Sequence, residues 1–181
     1  MPSRRAAALA ALALLLPAAP GTAKVFHSRS EALKIAFPDA ERIEDQTYVL
    51  SDAQVERIGA IARSPLDSRL VKIYTGLRGG DVLGYAVIDV HNVRTMPEAF
   101  MVVLTPEGSV RSVRVLAFHE PLDYLPTHRW YDQFDEKSLA SPLRLGGDIH
   151  GVVGATLSAR ATTRGVRRAL AFYRVLVRNE P

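Results

Sequence analysis

Four β-rich segments in the middle of the chain, joined in pairs by short turns, restrict the fold more than any other feature of the sequence. The segments are residues 70–77, 82–90, 99–104 and 109–118. The first two are joined by Arg-Gly-Gly-Asp and the last two by Thr-Pro-Glu-Gly, and both strings are typical of tight turns. Because strands joined by short turns pair antiparallel, the sequence predicts a four-stranded meander. Arg111 and Arg114, which alternate with apolar residues, indicate a sheet with one face in solvent.

Helical patterns lie before this meander. Ser30 is predicted to cap a short helix that continues through residue 37 and is ended by Pro38. Ser51 and Gln54 form the pattern of a capping box at the start of a second helix, over about 52–63. Together with the strands, these helices predict an α+β fold in which helices flank an antiparallel sheet.

The last predicted helix follows a glycine-containing loop. It runs over about 157–178, with an apolar face of Val166, Ala169, Leu170, Tyr173, Leu176 and Val177 and a basic side of Arg160, Arg164, Arg167, Arg168 and Arg174. We expect this basic side to be solvated, with Arg160 or Arg164 close enough to the helix start to assist an anion. A shorter helix after residue 126 is expected to direct Trp130, Phe134 and Leu139 into the core.

The loop before the last helix has the composition of an anion site. It reads Gly-Val-Val-Gly-Ala-Thr-Leu-Ser over residues 151–158. A helix that starts near Thr156 leaves free backbone N–H groups close to the threonine hydroxyl. Those donors and the positive end of the helix dipole favour an anion, and a phosphate suits them best. Gly154 and Ala155 leave the hydroxyl open to a bulky group. The same short string is also compatible with a plain loop that caps a helix.

Length and composition are those of a single globular domain. The chain has 181 residues, of which 48% are hydrophobic and 23% charged. Its formal charge of +4 is too weak to indicate a nucleic-acid partner, and it falls further if Arg4 and Arg5 are removed with an N-terminal leader. The absence of cysteine excludes disulfides, thiolate metal sites and iron–sulfur clusters held by this chain.

Residues 1–23 have the composition of a secretory signal peptide. Arg4 and Arg5 supply the charged start, residues 6–16 the apolar stretch, and Ala23 the small residue before the expected cleavage. An uncleaved anchor is the alternative, but the apolar stretch is too short to span a bilayer comfortably. We therefore expect one mature domain, residues 24–181, that is secreted to the periplasm.

Three segments, taken in order, resemble the FMN-binding domain family, which includes the C subunit of the sodium-pumping NADH:quinone reductase and the G subunit of the Rnf complex. The first two are His-Glu-Pro at 119–121 and Trp-Tyr-Asp-Gln-Phe at 130–134. The third is Gly-Ala-Thr-Leu-Ser at 154–158, which matches the family pattern Asp-x-x-Ser/Thr-Gly-Ala-Thr-x-Ser/Thr from its glycine onward. His150 stands at the aspartate position of that pattern, and Val153 stands at the first serine or threonine position.

The resemblance implies an FMN-binding-domain-like fold and a phosphoester bond between FMN and Thr156. It further implies two sets of cofactor neighbours, namely Gly154, Ala155, Leu157 and Ser158 at the phosphate, and His150, Glu120, Tyr124 and Trp130 elsewhere around the flavin. The implied partners are an extracytoplasmic flavin transferase, which uses FAD and magnesium, and a membrane or periplasmic redox protein. The expected function is electron transfer in the periplasm rather than turnover of a substrate.

Other functions remain open from the sequence. The residues at 150 and 153 are compatible with a module that binds FMN non-covalently or binds no flavin, and a flavoprotein reductase with its own substrate is a third alternative. The His-Glu pair at 119–120 is not a zinc motif, because Asp123 stands where the second histidine is needed. No serine-hydrolase elbow or phosphate-binding glycine loop is present. We expect surface or loop positions for His27, His91 and His128.

Overall fold

The computed structural model describes residues 24–179 and has an α+β fold with a six-stranded antiparallel sheet and four helices. The strands are β1 (Lys24–Val25), β2 (Arg42–Val49), β3 (Leu70–Arg78), β4 (Asp81–Asn92), β5 (Pro97–Leu104) and β6 (Val110–Phe118). They lie side by side in the order β1-β6-β5-β4-β3-β2. The helices are α1 (Arg29–Ala36), α2 (Asp52–Ala62), α3 (His128–Tyr131) and α4 (Thr156–Phe172). The predicted signal peptide lies outside the described residues.

The predicted meander forms the centre of the sheet, with β3 to β6 each paired to the next strand in the chain. Gly79, Gly80 and Gly108 adopt positive φ angles of 58°, 98° and 87°, which explains glycine in these two turns. The prediction of four strands is incomplete, because β1 and β2 extend the sheet at its two edges. β2 was missed because its residues are mostly polar and exposed, as is common in an edge strand.

Both faces of the sheet carry a hydrophobic cluster, which corrects in part the expectation of one face in solvent; on the face that carries α1, Leu70 and Val90 are still each 63% exposed. Alternate residues of β5 enter two separate hydrophobic clusters. Phe100 and Val102 pack in the cluster that contains residues of α2 and α4, whereas Met101 and Val103 pack in the cluster that contains residues of α1. The continuous apolar run of β5 is the sequence signal for a strand buried on both sides.

Ser28, and not Ser30, caps α1. Glu31 donates its backbone N–H to Ser28 Oγ at 3.3 Å, and Ser28 donates its own N–H to Glu31 Oε2 at 2.8 Å. This capping box needs an acid or amide three residues after the cap, which Ser28 has and Ser30 lacks. The predicted box of Ser51 and Gln54 at the start of α2 is confirmed.

The last helix is confirmed and is fixed at its far end. α4 begins at Thr156 and continues as a π-helical turn, Tyr173–Val177. The Tyr173 hydroxyl donates to the Pro106 carbonyl at 2.7 Å, and its ring occupies the space that a Cβ at Gly108 would need. Trp130 and Phe134 are buried as predicted. These contacts join α4 to the sheet through the β5–β6 turn.

Gly165 is expected to be intolerant of alanine, although alanine is the better helix former. A Cβ at Gly165 would overlap Asp89 Oδ2 of β4 and Phe100 Cζ of β5, so the missing side chain allows α4 to lie close to the sheet. Gly165→Ala should lower the free energy of unfolding by about 1–3 kcal/mol, because overpacking outweighs the gain in helix propensity. Urea unfolding of the purified variant measures this change.

Gly59 in α2 provides the matched control for Gly165. A Cβ at Gly59 would meet Ser64 O at 3.5 Å, which is an ordinary contact. Gly59→Ala should therefore be neutral or should stabilise the protein by up to about 1 kcal/mol. Equal stabilisation by both substitutions would show that α4 has room to move away from the sheet.

Candidate functional site

The turn before α4 presents Thr156 at the protein surface. The Ala155 N–H donates to Val152 O at 3.2 Å, and Gly154 between them has a φ of 85°. A Cβ at Gly154 would meet nothing within 4 Å, so glycine is favoured here by the backbone conformation and not by crowding. Thr156 is exposed, and its Oγ1 makes one long bond, 3.4 Å, to Val152 O. Its hydroxyl is therefore accessible and weakly held.

Three backbone amides lie at the start of α4, next to this hydroxyl. The first bond of the helical ladder runs from the Ala159 N–H to Ala155 O at 3.0 Å, so the amides of Thr156, Leu157 and Ser158 precede it. Ala155 offers no capping side chain, and the first turn contains no acidic residue. The amides and the positive end of the helix dipole favour an anion at this position.

A concavity of about 130 Å³ lies beside Thr156. Residues 154–158 form one side of it, and Val93, Arg94 and Tyr124 line the remainder. The Arg94 guanidinium lies 5.0 Å from the centre of the Tyr124 ring, which is a cation–π contact. Arg94 thus brings a positive charge to the helix start, a role that sequence reasoning assigned to Arg160 or Arg164. Neither of those two lines the concavity.

Glu120 fixes the turn that carries Arg94. Its Oε1 accepts hydrogen bonds from the Thr95 N–H at 2.8 Å and the Met96 N–H at 3.0 Å, in the turn between β4 and β5. The hydrogen bond from the Thr95 backbone, helped by that from Met96, lowers the pKa of the buried Glu120 carboxyl against the opposing effect of burial. Glu120 does not line the concavity. It positions Arg94 through the backbone.

Ser158 joins α4 to the segment that carries Tyr124. Its buried Oγ donates to the Tyr124 carbonyl at 2.6 Å, and Tyr124 ends the 3₁₀ turn Leu122–Tyr124. The Ser158 hydroxyl is therefore already used inside the protein. What Ser158 offers to a ligand is its backbone amide.

The Trp-x-x-Gln-Phe segment holds the loop that leads to Thr156. Trp130 Nε1 donates to the His150 carbonyl at 2.7 Å, and Gln133 Oε1 accepts from the His150 N–H at 2.8 Å. His150 is exposed and does not line the concavity beside Thr156. Asp148, two residues earlier, accepts from the backbone N–H groups of residues 143 and 144. Trp130 is thus a support of the loop, with its ring in the core.

Exposed apolar side chains lie on the chain segments that form the concavity. Val153, next to Gly154, is fully exposed, and Leu157 on the first turn of α4 is 45% exposed. Leu122 lies in the same turn as Tyr124, and Met96 follows closely after Arg94; both are also exposed. Of these four side chains, Leu157 lines the concavity, and the other three lie within two positions of a lining residue along the chain. Exposed apolar side chains of this kind suit an apolar ligand or partner.

A cluster of four ionisable side chains, which the sequence analysis missed, lies between α4 and the sheet. His91 Nδ1 lies 3.2 Å from Asp89 Oδ2, and His91 Nε2 lies 3.4 Å from Glu98 Oε2. Arg168 NH2 lies 2.6 Å from Asp89 Oδ2. The side chains of His91 and Glu98 are only 8% and 0% exposed, so the expectation of a surface histidine is wrong. The expectation that Arg168 is solvated is also wrong, since its side chain is buried.

The register of the sheet explains this buried quartet of Asp89, His91, Glu98 and Arg168. His91 of β4 pairs directly with Glu98 of β5, and Asp89 lies two residues earlier on the same face. Burial disfavours the charged imidazole, but hydrogen bonding and attraction to the two carboxylates outweigh burial and raise the pKa of His91 to about 9. Burial likewise opposes ionisation of Asp89, yet His91 and Arg168 lower the pKa of that carboxyl.

Stability is expected to fall as the pH is raised through the range in which His91 loses its proton. Its pKa is about 9 in the folded protein against 6.5 for an ordinary histidine, so the stabilisation is complete below pH 6.5 and is lost through pH 9. The loss should reach about 3 kcal/mol in urea unfolding measured across this range. His91→Gln should remove this slope, whereas His128→Gln, at an exposed position, should leave it. If His91→Gln keeps the wild-type dependence of stability on pH, that dependence must come from another titrating group.

Within residues 24–179, no group of three or more His, Cys, Asp or Glu side chains is placed to hold a metal ion. None of the helices in the described part of the chain combines the length and apolar character that a bilayer span requires. A scan of the sequence against protein-family models gives no match, and a search of curated proteins gives no similar chain.

Proposed function

We propose that this protein is a periplasmic electron-transfer protein that carries FMN in phosphoester linkage to Thr156, on an FMN-binding-domain-like fold. One observation carries the proposal: the Thr156 hydroxyl is accessible at the first residue of α4, beside three amides that precede the helical ladder and beside Arg94. The three segments that resemble the family support the same function, and the composition of residues 1–23 supports secretion.

The surroundings of Thr156 fit the phosphate of FMN. The amides of Leu157 and Ser158 supply donors, and Arg94 supplies a charge for the phosphate oxygens. None of the described residues that line the concavity is acidic. Arg94 is therefore the one charged side chain among these lining residues, and its charge attracts a phosphate.

The same surroundings suit a flat apolar ring. Tyr124 and Leu157 present an aromatic and an aliphatic side chain to the concavity, and the exposed Val153 precedes its lining residue Gly154. When bound, FMN supplies redox chemistry in one- or two-electron steps, and the protein binds, orients and tunes it. In this proposal Glu120 and Trp130 act as supports, because they fix the turn that carries Arg94 and the loop before Thr156.

The proposed partners are an extracytoplasmic flavin transferase and a membrane or periplasmic redox protein. The transferase would load Thr156 from FAD with magnesium. The exposed side chains of His150 and Val153 lie on the loop that such an enzyme must approach. The exposed apolar side chains on the segments that form the concavity would give a redox protein a surface on which to dock close to the flavin.

A module that binds FMN non-covalently, or binds no flavin, is the second candidate. It is favoured by Val153, whose fully exposed side chain offers no hydroxyl at the position where the family pattern has one. The concavity and its donors do not depend on that hydroxyl. The second candidate therefore keeps the same site and differs in the bond to Thr156.

Peptide mass mapping of protein from the periplasm of its native host tests the proposal. The expected result is a peptide in which Thr156 carries the mass of FMN less one water, together with a fluorescent band on a denaturing gel under ultraviolet light. A coloured native protein whose flavin is lost on denaturation would favour the second candidate. An unmodified Thr156 in colourless protein, made alongside a transferase that loads another substrate in the same cells, would contradict covalent and non-covalent flavin binding alike and leave the flavin-free module.

A further inference from the structure

A separate cavity of about 210 Å³ lies between the outer edge of β6 and the segment that includes α3. Its apolar walls include the rings of Phe26 and Tyr131 and the side chains of Val113 and Leu125. No residue is shared with the concavity beside Thr156. The 3₁₀ turn that ends at Tyr124 leads directly into this cavity at Leu125, so the two sites lie on either side of one segment.

The polar side-chain groups of this cavity are nitrogen-containing side chains and the hydroxyl of Tyr131. Arg114, His27 and His128 line it, and none of the described lining residues is acidic. Arg114 Nε is fully buried and meets no acceptor among residues 24–179. Asp135 lies within electrostatic range of Arg114, but no ion pair joins the two side chains. Arg114 as a whole is half-buried, and a guanidinium that is partly withdrawn from water and has no ion pair favours an anion within its reach.

The backbone at the edge of β6 limits the size of that anion. On one side of the cavity, Phe26 donates its N–H to Leu116 O at 2.8 Å; on the other, Val110 donates to Lys137 O, also at 2.8 Å. Between these two closures, residues 111–115 have no backbone partner along their outer edge in the described part of the chain. The opening is short, and the cavity is smaller than the about 300–1,000 Å³ of drug-sized sites. A small molecule fits it better than an added peptide strand.

We propose that this cavity is a binding site for a small monocarboxylate with a flat, apolar body, of which benzoate is the simplest example. The carboxylate is bound by Arg114, with the lining residues His27 and His128 as additional donors. The apolar body lies against the aromatic and aliphatic walls, where its burial adds to the affinity. This site does not depend on flavin at Thr156.

Calorimetric titration of the mature protein with benzoate and with benzamide tests the proposal. Benzamide has the same size and shape but no charge. We expect saturable binding of one benzoate per chain and binding of benzamide that is weaker by about tenfold or more. Equal binding of both, or no saturable binding of benzoate, would overturn the proposal. Competition by inorganic phosphate as strong as by benzoate would also overturn it, because the apolar walls would then contribute nothing.

Two variants locate the binding. Arg114→Met keeps the length of the side chain and should weaken benzoate binding by about tenfold or more. Its control is Arg129→Met, which removes the same charge from an exposed position next to His128 and should change binding by less than about twofold. His128→Asp, at an exposed helix start that tolerates aspartate, serves if Arg114→Met does not fold, and should also weaken binding. Unchanged affinity in the folded variants would exclude this cavity.

Discussion

Replacement of Thr156 by alanine is expected to abolish covalent flavin attachment completely while the protein stays folded. The substitution removes the hydroxyl that the proposed phosphoester requires. The fold should not be disturbed, because Thr156 is exposed and its hydroxyl makes one long hydrogen bond, to Val152 O. The free energy of unfolding should change by no more than about 0.5 kcal/mol. Denaturing gels under ultraviolet light, with intact-mass measurement, detect the loss of the label in protein made together with a flavin transferase.

Thr127 provides the matched control. It is also an exposed threonine, at the start of a helix, and its side chain makes no capping bond. Thr127→Ala should be loaded as fully as the wild type. Covalent flavin retained by Thr156→Ala would rule out the assignment of the attachment site, and equal loss in both variants would indicate a general defect in recognition by the transferase.

Replacement of Arg168 by methionine is expected to cause the largest loss of stability among single substitutions on α4 that remove a charge. Arg168 NH2 donates to both carboxylate oxygens of Asp89, at 2.9 and 2.6 Å. Without it, His91 is the remaining cation beside two buried carboxylates. Removal of one partner from a buried ion pair costs about 3–5 kcal/mol, whereas arginine and methionine have similar helix propensities. Urea unfolding at neutral pH measures the difference.

Arg164 lies one turn earlier on α4 and is the control for Arg168. Its side chain is exposed, and Arg164→Met should change stability by no more than about 0.5 kcal/mol. Similar, small losses in the two variants would show that the quartet contributes little. A second check combines Arg168→Met with Asp89→Asn: because the buried charge at Asp89 is removed as well, the double variant should recover part of the lost stability.

The elements that the sequence predicted are those with local signals. The two glycine turns indicated the hairpins, and the Ser51–Gln54 box indicated the start of α2. Each of these features depends only on residues that are close in sequence. β2 escaped prediction because an exposed edge strand has no apolar alternation to detect. Ser30 was predicted as the cap in place of Ser28 because both serines precede apolar residues. The glutamate at position 31 decides between them, since it completes a capping box with Ser28.

The parts of the site that the sequence did not reveal depend on contacts between distant residues. Arg168 and Asp89 are separated by 79 positions, and their pairing requires both the register of β4 and the closeness of α4 at Gly165. Arg94 is held near the Thr156 site by Glu120. The Glu120 carboxylate accepts hydrogen bonds from the backbone of Thr95 and Met96, the two residues that follow Arg94 in the turn. The sequence located Thr156 at a helix start, while its positive neighbour came from another element.

Because α4 is tied at both ends, by Ser158 to Tyr124 and by Tyr173 to Pro106, its amide hydrogens should exchange with deuterium in one cooperative opening, with no early fraying at the threonine end. The attachment point would then belong to the slowest-opening unit of the chain. A redox group held there would change its charge while its protein support barely rearranges. This mechanical stiffness would come from two hydroxyl groups, on Ser158 and Tyr173, that never touch the ligand.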